Sequence, residues 1–289
     1  MLHSTREYQM IRNMNTRRSL YIICLLLLSA VGNKLDAQTV VKPVRQQNDS
    51  TSHALIHQIG FDVRPGYVAP TNSFLEGDNA QRQKIDRSLS LHLKYAFQFS
   101  KDSYLGRLYP HAYQGIGVSH NTFYNSAELG NPVAVYAFQG APIVRFSSRL
   151  SLDYEWNFGA SFGWKQYDEH SNWYNDAIGS KINAYINLGF VLNWQFYPQW
   201  KLAAGVDFTH FSNGNTHYPN GGLNVIGGRI GIVRTLDADE APGSITPRRL
   251  FIKPHVSYDL VIYGATRKRG LIGDDVSSMI PGSFGVVGI

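Results

Sequence analysis

His210 and Ser212 are two residues apart in a run whose polarity alternates with period two, as a β-strand's does. Side chains at that spacing project from the same face, so an imidazole can remove the proton of the serine hydroxyl and make it a nucleophile. Leu202, Ala204, Val206 and Phe208 share their face, while Ala203, Gly205, Asp207 and Thr209 share the other. A hydrolytic pair at the end of an apolar stripe points to a lipid substrate, provided the stripe meets a membrane.

The rest of the chain repeats the pattern. Leu89, Leu91, Leu93, Tyr95, Phe97 and Phe99 alternate with polar or small residues, as do the outward-reading sets Leu150 to Trp164 and Ile182 to Phe196, and the run Leu250 to Ile262. A soluble β-sandwich also alternates. These runs, however, reach the roughly 9 to 11 residues that cross a bilayer at a tilt, and their apolar faces end in Trp, Tyr and Phe. Their polar faces are rich in Gly, Ser and Asn rather than Lys and Glu. The fold class expected is therefore all-β, an antiparallel transmembrane β-barrel of the outer membrane. Short links at Ser147-Ser148 and Tyr197-Pro198-Gln199 alternate with long polar ones around 71–87, 121–131, 166–180 and 213–222, which sets the long loops outside and His210 and Ser212 at the extracellular end. About ten strands are expected between Ile56 and Ile289. The chain stops within what reads as a fresh strand, so a C-terminally truncated barrel lacking about two strands is expected.

Arg17 and Arg18 precede an apolar run, 20–31, and Leu35-Asp36-Ala37 offers a cleavage site. Residues 1–37 thus read as a secretory signal peptide, 38–54 as a flexible periplasmic tail and 55–289 as the barrel. The one cysteine, Cys24, lies within the signal, so disulfides play no part in the exported chain. The net charge of +6 and pI near 9.3 suit an anionic partner. Export favours a phosphorylated lipid over nucleic acid.

His210-Phe211-Ser212-Asn213, followed by Pro219-Asn220-Gly221-Gly222-Leu223 and an apolar-periodic strand, resembles the PagL-type lipid A 3-O-deacylases, also called acyloxyacyl hydrolases; the detailed likeness covers about Ala203 to Thr235. The resemblance implies an outer-membrane barrel that removes an ester-linked acyl chain from the lipid A of lipopolysaccharide, with Ser212 as nucleophile and His210 as general base. The family's third member is a glutamate, and its position falls on Asn224. An asparagine can orient an imidazole by a hydrogen bond but cannot stabilise imidazolium by charge. Alternation sets Asn224 on the outer face with Ile226, Ile230 and Ile232, and turns Asp207 into the interior, where it cannot serve instead. Backbone amides of Asn213, Gly214 and Asn215 are the expected oxyanion hole.

No cofactor or metal is required by this scheme. His217 does not stand at a metal-ligand spacing from His210. Arg267-Lys268-Arg269 reads as a solvated loop run that could also meet lipid A phosphates. The rival reading is a non-catalytic outer-membrane barrel that is structural, adhesive or lipid-binding.

Overall fold

The computed structural model describes residues 55–101 and 103–237, and the backbone alone of 258–262, 266–268, 277–279 and 284–288. All of these lie within the unit 51–289. The expected signal segment and tail lie outside the described residues, as do the side chains of Arg267, Lys268 and Arg269.

Eight antiparallel strands close into a barrel in chain order. They are β1 (Leu55–Ala69), β2 (Arg87–Phe99), β3 (Tyr113–Thr122), β4 (Gly130–Arg145), β5 (Leu150–Trp164), β6 (Ile182–Tyr197), β7 (Trp200–Ser212) and β8 (Leu223–Thr235). β1 pairs with β8 from Gln58↔Thr235 to Ala69↔Asn224, which removes both sheet edges. This corrects the expected ten strands with about two more missing: eight suffice for closure. The Leu250 to Ile262 run contributes β9 (Tyr258–Ile262), which pairs with β12 (Phe284–Gly288), while β10 (Thr266–Lys268) pairs with β11 (Ser277–Met279). Alternation signals a strand between unlike environments; it does not say which sheet the strand joins.

Polarity across the wall is the reverse of a sandwich. Outward Ile230, Ile116 and Val206 are 67%, 64% and 60% exposed, and rows of Leu, Ile, Phe and Trp surround them. An apolar surface this continuous needs a partner, and a bilayer supplies one. Among the described residues no helix is long and apolar enough to cross a membrane. The strands do so instead.

The interior is charged. Asp62 and Arg64 of β1, Lys94 of β2, Glu155 of β5, Asp207 of β7 and Arg229 of β8 are all buried and interlock. Arg64 meets Asp62 at 2.8 Å, Lys94 meets Asp62 at 2.9 Å and Glu155 at 3.2 Å, and Arg229 meets Glu155 at 2.6 Å and Asp207 at 2.5 Å. Three carboxylates face three cations, so the lumen is crossed by a neutral network. Removing one member leaves opposite charges buried and short of a partner. Arg229→Met is therefore expected to destabilise the barrel by about 3–5 kcal/mol, read as a lower urea midpoint in micelles.

Above this network, at the end carrying the longer loops, an apolar plug fills the lumen. Rings of Phe123, Trp164 and Phe211 meet with centroids 5.1 to 5.9 Å apart. Phe74 and Leu75 of the short helix α1 (Ser73–Glu76), with Leu129 and Ile178, complete it. The opposite end carries the short links 146–149 and 198–199, as expected. It also carries one longer link, 100–112, with helix α2 (Tyr104–Leu108).

Candidate active site

The pairing of β7 with β8 sets His210 directly opposite Asn224. Cβ atoms of such cross-strand partners lie about 4.5–5.5 Å apart, within reach of a side-chain hydrogen bond. His210 Nδ1 is 2.7 Å from Asn224 Oδ1, and His210 Nε2 is 2.9 Å from Ser212 Oγ. An amide oxygen can only accept, so Nδ1 carries the proton and Nε2 is left free to take that of Ser212. Asn224 thereby selects the base tautomer. All three side chains are partly buried on the outer face of the wall, as alternation indicates. Asp207 faces the interior, bound to Arg229 and Arg64.

Phe211, between the two reactive residues, points the other way. It is 1% exposed and packs on Phe123, Trp164 and Tyr185, which fixes the strand end from within. The outer wall beside the pair is low: Ala184 of β6 is the partner of Ser212, and Ala69 of β1 the partner of Asn224.

The loop after Ser212 is tied by its own amides. Asn213 Oδ1 accepts from Thr216 N at 3.1 Å, Asn220 Oδ1 accepts from Asn213 N at 2.9 Å, and Asn220 Nδ2 donates to Asn215 Oδ1 at 2.9 Å. Gly221 N and Gly222 N donate to the carbonyls of Asp176 and Ala177 in the 165–181 loop. The expectation for the oxyanion hole narrows accordingly. The Asn213 amide is already engaged, whereas those of Gly214 and Asn215 have no partner among the described residues. Both adopt left-handed φ, +65° and +60°.

A family model described as lipid A 3-O-deacylase (PagL) matches residues 90–233, a stretch that includes β7, its loop and β8 as far as Val233. The chain belongs to the PagL family. Among curated proteins, no relative matches it. Solved structures similar to this PagL-family barrel include Neisserial surface protein A (TM-score 0.40, 7% identity, 62% of this chain and 97% of that one). They also include the outer membrane enzyme PagL (0.38, 12%, 60% and 97%) and Ail, the attachment invasion locus protein of Yersinia pestis (0.34, 10%, 63% and 99%). At these scores the likenesses carry no argument about function. Among the described residues of this PagL-family chain, no group of three or more His, Cys, Asp or Glu is placed to hold a metal ion.

One residue of the Pro219-Asn220-Gly221-Gly222-Leu223 stretch has a role at the site of this PagL-family chain that its spacing does not announce. Gly222 has φ +67°, and a Cβ there would lie 2.9 Å from Phe211 O, 3.4 Å from His210 Cε1 and 3.6 Å from Ser212 Cβ. In sequence it reads as an ordinary turn glycine. Gly222→Val must strain the backbone and push the imidazole off its line to Ser212, and a small misplacement of this kind costs on the order of 100-fold in rate. The expected result is that loss in lipid A deacylation with the barrel's far-ultraviolet circular dichroism unchanged.

Proposed function

We propose that the protein is a serine-type lipid A deacylase that hydrolyses an ester-linked acyl chain of lipopolysaccharide in the outer leaflet. The observation that carries this reading is the hydrogen-bonded chain Ser212–His210–Asn224 on the outer, lipid-facing wall at the long-loop end. Lipid A moves in the plane of the membrane, and its acyl esters lie at the boundary between sugar and hydrocarbon. A serine projecting outward at that height meets the ester without lifting the lipid from the bilayer.

Ser212 Oγ attacks the ester carbonyl carbon while its proton passes to His210 Nε2. The carbonyl oxygen becomes an oxyanion, for which the free amides of Gly214 and Asn215 are the donors. As the tetrahedral adduct collapses, the C–O bond to the glucosamine breaks and His210 returns the proton to the departing sugar oxygen. Water, deprotonated by the same imidazole, then attacks the acyl carbon; the bond from that carbon to Ser212 Oγ breaks, His210 returns the proton to Oγ, and the fatty acid leaves. Delivery to the outer membrane follows from the segment 1–37, read as a removable signal.

Purified protein in detergent, mixed with lipopolysaccharide, should yield lipid A lighter by one acyl chain in mass spectra. A profile identical to the untreated lipid would favour the non-catalytic barrel. Small neighbours also matter to this reading, since the acyl ester must approach Ser212 across Ala184. Ala184→Leu should raise KM for lipopolysaccharide at least about tenfold by covering Oγ, while hydrolysis of a short, soluble ester changes much less.

A further inference from the structure

The end of the lumen opposite the apolar plug holds a cavity of about 180 Å³. On the catalytic reading it opens to the periplasm, on the far side of the neutral charge network from Ser212. Four observations indicate that it is built rather than left over. Asp153 of β5 is 4% exposed; its Oδ2 accepts from Asn193 Nδ2 at 2.8 Å, yet its Oδ1 is buried with no donor. Lys201 of β7 lines the same space and forms no ion pair among the described residues, with Asp153 or any other carboxylate. β4 carries a register shift between Pro142 and Val144, which sets Arg145 opposite the inward Ser151 instead of leaving it on the lipid face. Arg145 commits one nitrogen to Ser148 O at 3.0 Å and stands exposed at the mouth. Finally, His111, in the 100–112 link, is held at φ +65°, a strained value for a side chain of its size, and also lines the cavity.

Cations outnumber carboxylates here: of the two that line the space, Glu155 is already paired with Lys94 and Arg229, which leaves Asp153 alone to face Lys201 and Arg145. Burial, with Arg145 and Lys201 nearby, pushes the His111 imidazole down to about 4, as expected for a neutral ring in positive surroundings. A guanidinium and an ammonium together want more acceptor oxygens than a carboxylate offers, and a phosphate supplies them. The open Asp153 oxygen wants the opposite, a donor such as a hydroxyl. We infer that this cavity is a binding site for a phosphorylated small polyol, its phosphate on Lys201 and Arg145 and a hydroxyl on Asp153. A glycerophosphate has both features and is of a size for the space. It could arrive free in the periplasm or as the headgroup of an inner-leaflet phospholipid.

The test is calorimetric titration of the full barrel in a phosphate-free detergent with glycerol 3-phosphate, inorganic phosphate and glycerol. Glycerol 3-phosphate should bind at least about tenfold more tightly than either of the others, a gap of about 1.4 kcal/mol. Lys201→Met and Arg145→Met should each weaken it about tenfold or more, and Asp153→Asn should erase its advantage over inorganic phosphate. All three should leave lipid A deacylation unchanged, which separates this site from the catalytic one. Repeating the titration in phosphatidylglycerol nanodiscs distinguishes the sources: a headgroup occupant abolishes the added ligand's heat, and a free one leaves it. No saturable heat in detergent, equal affinity for inorganic phosphate, or undiminished binding by both cation variants would overturn the inference.

Discussion

Ser212→Ala, given lipopolysaccharide in detergent, is expected to leave the acyl ester intact, with turnover down by about 10⁴-fold or more. His210→Ala should do nearly the same, and the double variant little worse, because nucleophile and base act as one unit whose single losses do not add. The Oγ to Nε2 distance of 2.9 Å makes this specific, since no other described hydroxyl is bonded to His210. Neither change touches the interior ion network or the apolar plug, so thermal stability in micelles should stay near that of the wild type. Activity that survived both substitutions would place the chemistry elsewhere.

Asn224 should give the next largest effects, and in opposite directions. An amide orients His210 but offers no charge to the imidazolium formed during attack. In Ser-His-Asp hydrolases, replacing the carboxylate by an amide drops kcat by about 10⁴-fold, so much is available to regain. Asn224→Asp keeps the shape and the 2.7 Å contact to Nδ1, and Asn224→Glu restores the residue that the family resemblance implies. Either is expected to raise kcat by about tenfold or more, and the isosteric Asp should show the gain without strain. Asn224→Leu removes the acceptor and frees the ring to choose its tautomer, so kcat should fall by a comparable factor. These are expected as kcat effects with KM little changed, since Asn224 touches His210 and not the lipid. Equal rates for all four proteins would mean that the imidazole is held by something else.

What the sequence made readable was local and periodic. The period of two on β7 and β8 sets His210, Ser212 and Asn224 outward and Asp207 inward, because a strand between lipid and a packed lumen admits one assignment of its faces. Closure was not readable. Leu250 to Ile262 alternates as well as any barrel strand, and only the pairing of β1 with β8 shows that the wall is complete without it. The charge network was hidden for a related reason: its six members come from five strands, from Asp62 to Arg229, and single alternation patterns do not say which interiors meet. Gly222 and Phe211 were hidden too. One matters through a backbone angle and the other through aromatic contacts with Phe123, Trp164 and Tyr185, neither of which leaves a mark on spacing.

The most direct test of the central claim, that Ser212 is the nucleophile made ready by His210, is covalent labelling with a long-chain fluorophosphonate followed by peptide mass spectrometry. The expected result is one adduct per chain, on Ser212, formed by the wild type and abolished in His210→Ala although that variant keeps the serine. Absence of an adduct from the wild type, an adduct on another residue, or equal labelling of His210→Ala would contradict it.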